Sequence, residues 1–221
     1  MSEITLGQQI DDYIEQLFNP ADPILTETLK ELERAGLPPI NVSANEGKLL
    51  YLLASLSGAK KILEIGTLAG YSAIWLGRAL PSDGKLVTLE IDPKHVEVSR
   101  LNFVRAGLAD KIEVRVGPGQ QTLAQMVEAN EGPFDLFFID ADKDGYPAYL
   151  EYALKLSHPG SVILADNLIR NGKVMEANSP DVYVQAIRTF NQTIATHPRL
   201  ESLILPIVRN NFDGLSISIV R

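Results

Sequence analysis

The sequence predicts an α/β fold: a seven-stranded, mostly parallel sheet that ends in a C-terminal antiparallel hairpin and is preceded by helices. Three observations lead to this prediction. After residue 60, short β-branched apolar runs alternate with amphipathic segments, as in parallel strands joined by helices. The last two runs are separated only by Arg209–Gly214, which suits a hairpin and not a crossover helix. Before residue 57, apolar residues recur at helical spacing.

The individual elements follow from this pattern in chain order. The predicted helices are Ile4–Leu17, Ile24–Ala35, Ala44–Leu56, Pro93–Ala106 and Tyr146–Leu156. The predicted strands are Lys61–Ile65, Leu86–Ile91, Ile112–Val116, Phe134–Ile139, Val162–Ala165, Leu203–Val208 and Leu215–Val220. No repeat, low-complexity tract or linker interrupts the chain. We therefore expect a single domain over residues 1–221, with a helical part over 1–57 and an α/β core over 58–221.

Composition and charge argue against several classes of function. With 45% hydrophobic and 22% charged residues, the chain resembles an ordinary globular domain. The net charge of −8 argues against a nucleic-acid-binding surface, and the absence of cysteine excludes disulfides and thiolate metal sites. No apolar run reaches the roughly 18 residues of a membrane span, and the N-terminus is acidic, unlike a secretion signal. We expect a cytoplasmic protein that binds neither nucleic acid nor membranes.

Two of the predicted strands end abruptly in polar residues. Asp140 follows Phe137-Phe138-Ile139, and Asp166-Asn167 follows the run that begins at Val162. If these strands are neighbours, the three oxygen-bearing side chains converge, and such donors suit a hard cation such as magnesium or calcium, with Lys143 beside it. Each aspartate could instead cap a helix, and Lys143 could be an ion-pair partner of Asp140 or of the nearby Asp142.

A glycine-containing loop follows the first predicted strand. Gly66 and Gly70 allow a tight turn and close approach of a ligand to the backbone, but their spacing differs from that of pyrophosphate-binding loops. Glu64, just before the loop, favours a ligand with a positive charge. Glu90, at the end of the second strand, is placed to accept the hydroxyl groups of a ribose. A ligand with a ribose, an amino group and no phosphate is S-adenosylmethionine.

Taken together, these residues resemble a known family. The motif from Glu64 through Gly70-Tyr71-Ser72 resembles that of the cation-dependent O-methyltransferases, the caffeoyl-CoA and catechol O-methyltransferase group in its small bacterial form. The other matching segments are Glu90-Ile91-Asp92, Gly117-Pro118, Ile139-Asp140-Ala141-Asp142-Lys143 and Asp166-Asn167. The resemblance extends over about residues 40–221. It implies a Rossmann-like class I methyltransferase fold and methyl transfer to a phenolic or catechol acceptor.

The resemblance also implies roles for individual residues. Asp140, Asp166 and Asn167 correspond to metal ligands, with magnesium as the first candidate and calcium or manganese as alternatives. Lys143 corresponds to the general base. The residues that correspond to S-adenosylmethionine contacts are Val42, Glu64, Gly66, Ser72, Glu90, Ile91, Gly117, Asp140, Asp142 and Tyr149. The chain departs from the family at Gly145, at Gly119-Gln120 and in the loop Asn210–Gly214, which leaves the identity of the acceptor open.

Other interpretations remain at this point. A nucleotide-binding oxidoreductase on a similar sheet is one alternative, although no Tyr-x-x-x-Lys or histidine-based hydride site is evident, and a non-catalytic cofactor-binding protein is another. We assign no role to His95, and we expect Trp75 to pack in the core. A homodimer is expected because the third helix carries more apolar residues than one sheet face needs, namely Leu49, Leu50, Leu52 and Leu53.

Overall fold

Seven strands form one sheet in residues 5–208 and 212–221, the part of the chain that the computed structural model describes. The strands are β1 (Lys61–Ile65), β2 (Lys85–Glu90), β3 (Ile112–Val116), β4 (Phe134–Ile139), β5 (Ser157–Ala165), β6 (Leu200–Val208) and β7 (Phe212–Val220). Their order is β3-β2-β1-β4-β5-β7-β6. The first five strands pair in parallel, and β7 lies between β5 and β6, antiparallel to both.

Helices precede the sheet and connect its strands. They are α1 (Leu6–Phe18), α2 (Pro23–Arg34), α3 (Ala44–Leu56), α4 (Tyr71–Ala79), α5 (Pro93–Arg105), α6 (Gly119–Glu128), α7 (Tyr146–Lys155) and α8 (Val182–Thr196). Side chains fix several starts: Asp22 and Asp92 accept from the first free amides of α2 and α5, each before a proline, and Ser43 and Glu46 form a capping box on α3.

The structure confirms the predicted fold class, and every predicted strand and helix is present with small shifts at its ends. The largest shifts concern strand starts. β5 begins at Ser157, where backbone pairing with Phe134 continues across a register shift, although the apolar run begins only at Val162. Leu200–Val208 of β6 pairs with Phe212–Val220 of β7, so both strands begin before their predicted apolar runs. Residue Ile4 and residues 209–211 of the predicted helix and hairpin loop lie outside the described residues.

Each face of the sheet carries its own apolar core, because side chains alternate along the strands. One core packs β-strand residues such as Ile62 and Phe138 against α3, α4 and α5. The other packs Leu63 and Phe137 against α6, α7 and α8. In the described ranges 5–208 and 212–221, no helix combines the length and apolar content needed to cross a bilayer.

Strands β2 and β3 lie on one side of β1, and β4 and β5 lie on the other, so the order of the strands reverses between β1 and β4. In such sheets, ligands bind outside the carboxyl ends of the strands at this point. Ile65 pairs with Ile139, and Ile139 pairs with Ala165. The residues that follow β1, β4 and β5 are therefore delivered to one edge of the sheet.

Candidate active site

A pocket of about 500 Å³ opens at this edge of the sheet. That volume lies within the range of small-molecule sites. Most residues predicted from the sequence line it: Val42, Gly66, Ser72, Glu90, Ile91, Gly117, Asp140, Asp142, Lys143, Tyr149 and Asn167. Glu64 and Asp166 do not line it. Both are almost fully buried, and each contacts a lining residue, Ser72 and Asn167 respectively.

The loop after β1 requires glycine for two physical reasons. Gly66 has φ +101°, and a Cβ atom there would lie 2.0 Å from the carbonyl oxygen of Asp140. Gly70 has φ +83°, and its Cβ would lie 2.4 Å from the ring of Phe103. Because no side chain is present at either position, the loop backbone approaches the residues after β4 closely. Helix α4 begins directly after Gly70, and no side chain caps its first amides.

Glu90 holds this loop as well as facing the pocket. Its Oε2 accepts from the backbone amide of Leu68 at 2.8 Å and from that of Thr67 at 3.3 Å, and its Oε1 accepts from the amide of Ile91 at 2.9 Å. The ring Nδ1 of His95 lies 3.3 Å from Oε1. The sequence analysis missed His95, which lines the pocket. The signal that could have identified it is its position in the first turn of α5, five residues after Glu90.

Glu64 is a fully buried carboxyl group beneath the pocket. Its two oxygens accept from the hydroxyls of Ser72 and Thr88, each at 2.6 Å. Burial raises the pKa of Glu64 to about 7, because the ionised form is poorly solvated there, and the two hydroxyl donors oppose that shift. Without a cationic ligand, the group is therefore largely protonated just below neutral pH.

This shift predicts a pH dependence of folding stability. The folded protein retains a proton on Glu64 that the unfolded chain, with a pKa near 4.5, releases. The contribution is therefore fully present below pH 4.5 and is lost as pH rises through 7. Between pH 5 and 8, the wild-type protein should lose roughly 2.5 kcal/mol of stability relative to Glu64→Gln, at about 1.4 kcal/mol per pKa unit.

Urea unfolding of both proteins at the two pH values measures this difference, and the exposed variant Glu128→Gln serves as the matched control. A constant difference between wild type and Glu64→Gln would show that Glu64 ionises normally in the folded state.

Asp142 and Tyr149 form a second wall of the pocket. The Tyr149 hydroxyl donates to Asp142 Oδ1 at 2.5 Å, and burial together with this carboxylate raises the pKa of the phenol. The structure explains Gly145, where the chain departs from the family. A Cβ atom there would lie 2.6 Å from Asp142 Oδ2 and from the Tyr149 ring. Gly145 thus allows this tyrosine to pack against the turn that follows β4.

Asp140 follows β4, and Asp166 and Asn167 follow the neighbouring strand β5. Asp140 and Asn167 line the pocket, and the charge of Asp140 acts on the buried carboxyl group of Asp166. Neither aspartate caps a helix: Asp140 accepts from Lys143, and Asp166 Oδ1 accepts from the amide of Asn167 at 2.7 Å. Asp166 is 2% exposed, and burial, followed by the nearby charges of Asp140 and Glu46, raises its pKa well above the ordinary value. Carboxylates crowded in this way favour a cation between them.

The donor set nevertheless contains only two carboxylates. Across residues 5–208 and 212–221, no group of three or more His, Cys, Asp or Glu side chains is arranged to hold a metal ion. The third donor is the amide oxygen of Asn167. Two carboxylates, one amide and open positions for water or substrate suit the oxygen-ligand chemistry of magnesium.

Lys143 lies between this donor set and the core. Its Nζ lies 2.9 Å from Asp140 Oδ1 and 2.8 Å from the hydroxyl oxygen of Tyr146. The buried Tyr146 hydroxyl in turn donates to the backbone carbonyl of Asp166 at 2.9 Å. The ion pair considered as an alternative is therefore present. The tyrosine provides a second, uncharged anchor for the lysine that the sequence analysis did not identify.

Comparison with known proteins relates the whole chain to methyltransferases. The family model described as O-methyltransferase matches residues 17–218. A catechol O-methyltransferase of Niastella koreensis is 47% identical over 215 residues, covering 97% of each chain, and one of Mycobacterium tuberculosis is 44% identical over 213 residues, covering 96% of this chain and 95% of that one. The structure of an O-methyltransferase from Bacillus cereus in complex with SAH superimposes with a TM-score of 0.94 at 45% identity, covering 97% of this chain and 98% of that one.

Proposed function

The chain belongs to the O-methyltransferase family, and we propose that it transfers the methyl group of S-adenosylmethionine to one hydroxyl of a catechol with the help of a divalent cation. The family membership excludes the oxidoreductase considered from the sequence. The catechol acceptor is supported by the names of two relatives, and the cofactor is supported by the SAH complex of a third.

One observation carries the proposal: Asp140 and Asn167 line the same pocket as Gly66, Glu90 and the other predicted cofactor residues, and the buried carboxyl group of Asp166 accepts from the amide of Asn167 beside them. A methyl donor bound by the glycine loop and a hydroxyl bound at the carboxylates would therefore be neighbours. Placing two reactants in this way supplies a large part of the rate enhancement in group transfer.

The cofactor would be held along the pocket by groups of matching chemistry. Glu90, already fixed by backbone amides, would accept the ribose hydroxyls, and the Asp142–Tyr149 wall would border the same ligand. The positive charges of the amino acid end would lie above Glu64 and Ser72. Val42, which is 5% exposed, would cover the reacting end and limit access of water.

At the acceptor end, Asp140, Asp166 and Asn167 would hold magnesium, with calcium or manganese as alternatives. The cation would act there as a Lewis acid that favours ionisation of the catechol. Lys143, held by Tyr146 at the edge of this set, would accept the proton from the attacking hydroxyl. In this proposal, the metal ligands and Lys143 would orient and deprotonate the acceptor, and the cofactor-binding residues would hold the methyl group in line with the attacking oxygen.

Calorimetry and a turnover assay test this function. The protein should bind S-adenosylmethionine and not nicotinamide dinucleotide, and mass spectrometry should detect a methylated catechol when magnesium is present. Binding without turnover on any of catechol, a flavonoid and a caffeoyl ester would favour the non-catalytic alternative.

We also propose that the protein is a homodimer, but for a reason different from the sequence-based one. Of the four leucines considered, Leu50 is buried, Leu49 and Leu53 pack against the core, and only Leu52 is largely exposed. Three of the four leucines of α3 therefore pack in or against the core of this chain. Helix α1 instead buries none of its residues and leaves an apolar face exposed, which includes Tyr13 and Phe18. Such a face is typical of an interface.

A second copy covering α1 predicts a dimer mass by light scattering at micromolar concentration. The double variant Tyr13→Glu, Phe18→Glu should be a monomer, because two charges would be buried in the interface. Leu101→Glu on α5, also an exposed apolar position, is the control and should leave the mass unchanged. A monomeric wild-type protein would refute the proposal.

A further inference from the structure

The segment that follows β5 has an unusual backbone. Asn167, Arg170 and Asn171 have φ angles of +62°, +50° and +55°, all in the left-handed region. For residues other than glycine, this region costs on the order of 1–2 kcal/mol per residue. Asparagine tolerates it best and arginine does not share that preference. Surrounding contacts must therefore hold this segment, and it begins at one of the proposed metal ligands.

Those contacts come mainly from the start of β7. The carboxylate Oδ1 of Asp213 accepts from the backbone amides of Ile169 at 3.0 Å and Arg170 at 3.1 Å. The same oxygen accepts from the amide of Gly214 at 2.9 Å. Asp213 is 7% exposed, so these bonds are shielded from water. The three amides converge on one buried oxygen, as in an anion-binding turn.

Backbone contacts on either side complete the connection. The amide of Leu168 donates to the carbonyl of Gly214 at 3.0 Å, and Asn171 Oδ1 accepts from the amide of Phe212 at 2.9 Å. From α8, the side-chain amide of Asn191 donates to the carbonyl of Leu168 at 2.9 Å. Hydrogen bonds from residues 212–214, at the start of β7, therefore fix the backbone of residues 168–171.

We propose that Asp213 is a positioning residue for Asn167: by binding the amides of residues 169 and 170, it fixes the left-handed turn from which the Asn167 side chain would join Asp140 and Asp166 in holding the metal. This inference rests on the proposed metal site. Residues that orient metal ligands typically account for 10–100-fold in metal affinity.

The test measures manganese binding by calorimetry and amide hydrogen exchange in the absence of metal. Asp213→Ala leaves three amides without their acceptor. It should weaken Mn²⁺ binding at least tenfold, accelerate exchange in residues 168–171, and change the affinity for S-adenosylmethionine less than twofold. Asp213→Asn keeps an acceptor oxygen of the same reach and should restore metal affinity to within about threefold of wild type.

Asp135→Ala is the matched control. Asp135 also accepts from two backbone amides, those of Lys60 and Lys61, but at the opposite edge of the sheet. It should leave Mn²⁺ affinity unchanged. If Asp213→Ala does not fold, Asp213→Ser, whose shorter side chain does not reach the amides of residues 169 and 170, takes its place.

Two negative outcomes have different meanings. Absence of Mn²⁺ binding to the wild-type protein would overturn the metal site and the inference with it. Normal Mn²⁺ affinity and normal exchange in Asp213→Ala would overturn the inference alone.

Discussion

Replacing Lys143 by alanine should lower kcat for methyl transfer to a catechol by about 10²–10⁴-fold, the usual contribution of a general base. The Lys143 ammonium contacts Asp140 and Tyr146, and its removal leaves Asp140 and the glycine loop, which would bind the cofactor, in place. Affinity for S-adenosylmethionine should therefore change little. Steady-state kinetics together with a calorimetric titration separate the two effects.

Lys143→Arg distinguishes a base from an ion-pair partner. Arginine keeps the positive charge beside Asp140 but does not give up a proton in proteins. If Lys143 is the base, the arginine variant should be nearly as slow as the alanine variant. If Lys143 only neutralises Asp140, the arginine variant should keep near-normal turnover, and the proton must leave by another route.

Much of the fold was predictable because its signals are local. The parallel strands are apolar, and each ends at or just before a polar residue or a glycine. All except the edge strand β3, which exposes Glu113 and Val116, are mainly buried on both faces. The hairpin could be predicted from the short stretch between the last two apolar runs. The position of β7 between β5 and β6 could not be predicted, because a hairpin pattern specifies which strands pair with each other but not which of them joins the sheet.

The candidate site was predictable to the extent that its chemistry lies at strand ends. Asp140 and Asp166 were paired from sequence because both follow apolar runs, and parallel strands end at one edge. The supporting residues were not predictable. Asp213 lies 44 residues from Ile169, whose amide it binds. Tyr146 is only three residues from Lys143, but its hydroxyl is fixed by the carbonyl of Asp166, 20 residues away. The pKa of Glu64 is raised mainly by burial, and burial depends on the tertiary packing of the sheet and helices, which the local sequence does not specify.

Apolar composition alone was a poor guide to the interface. Leu49, Leu50 and Leu53 are as apolar as the exposed residues of α1, yet they fill the core beneath α3. Helical periodicity shows that a helix has an apolar face, but it does not show whether that face meets the same chain or another one.

Turnover should require a divalent cation and should depend on Asp166. Excess chelator should abolish methyl transfer, and added magnesium should restore it. Asp166→Asn keeps the shape of the side chain and an oxygen for the amide of Asn167 but removes a charge from the donor set. The rate should fall at least about 100-fold, because a Lewis acid contributes several kcal/mol and about 1.4 kcal/mol is tenfold. Mn²⁺ affinity should fall in parallel.

Stability should move in the opposite direction, and this separates a functional from a structural role. Burial and the charge of Asp140 raise the pKa of Asp166, so its ionised form destabilises the metal-free fold at neutral pH. Asp166→Asn should therefore unfold at equal or higher urea concentration than wild type.

Asp135→Asn is the matched control. Hydrogen bonds from His158 and from the amides of Lys60 and Lys61 lower the pKa of Asp135 despite partial burial, so the ionised carboxylate stabilises the fold. Its replacement should reduce stability but leave turnover intact. Full activity in excess chelator, or an Asp166→Asn variant as active as wild type, would contradict the metal assignment.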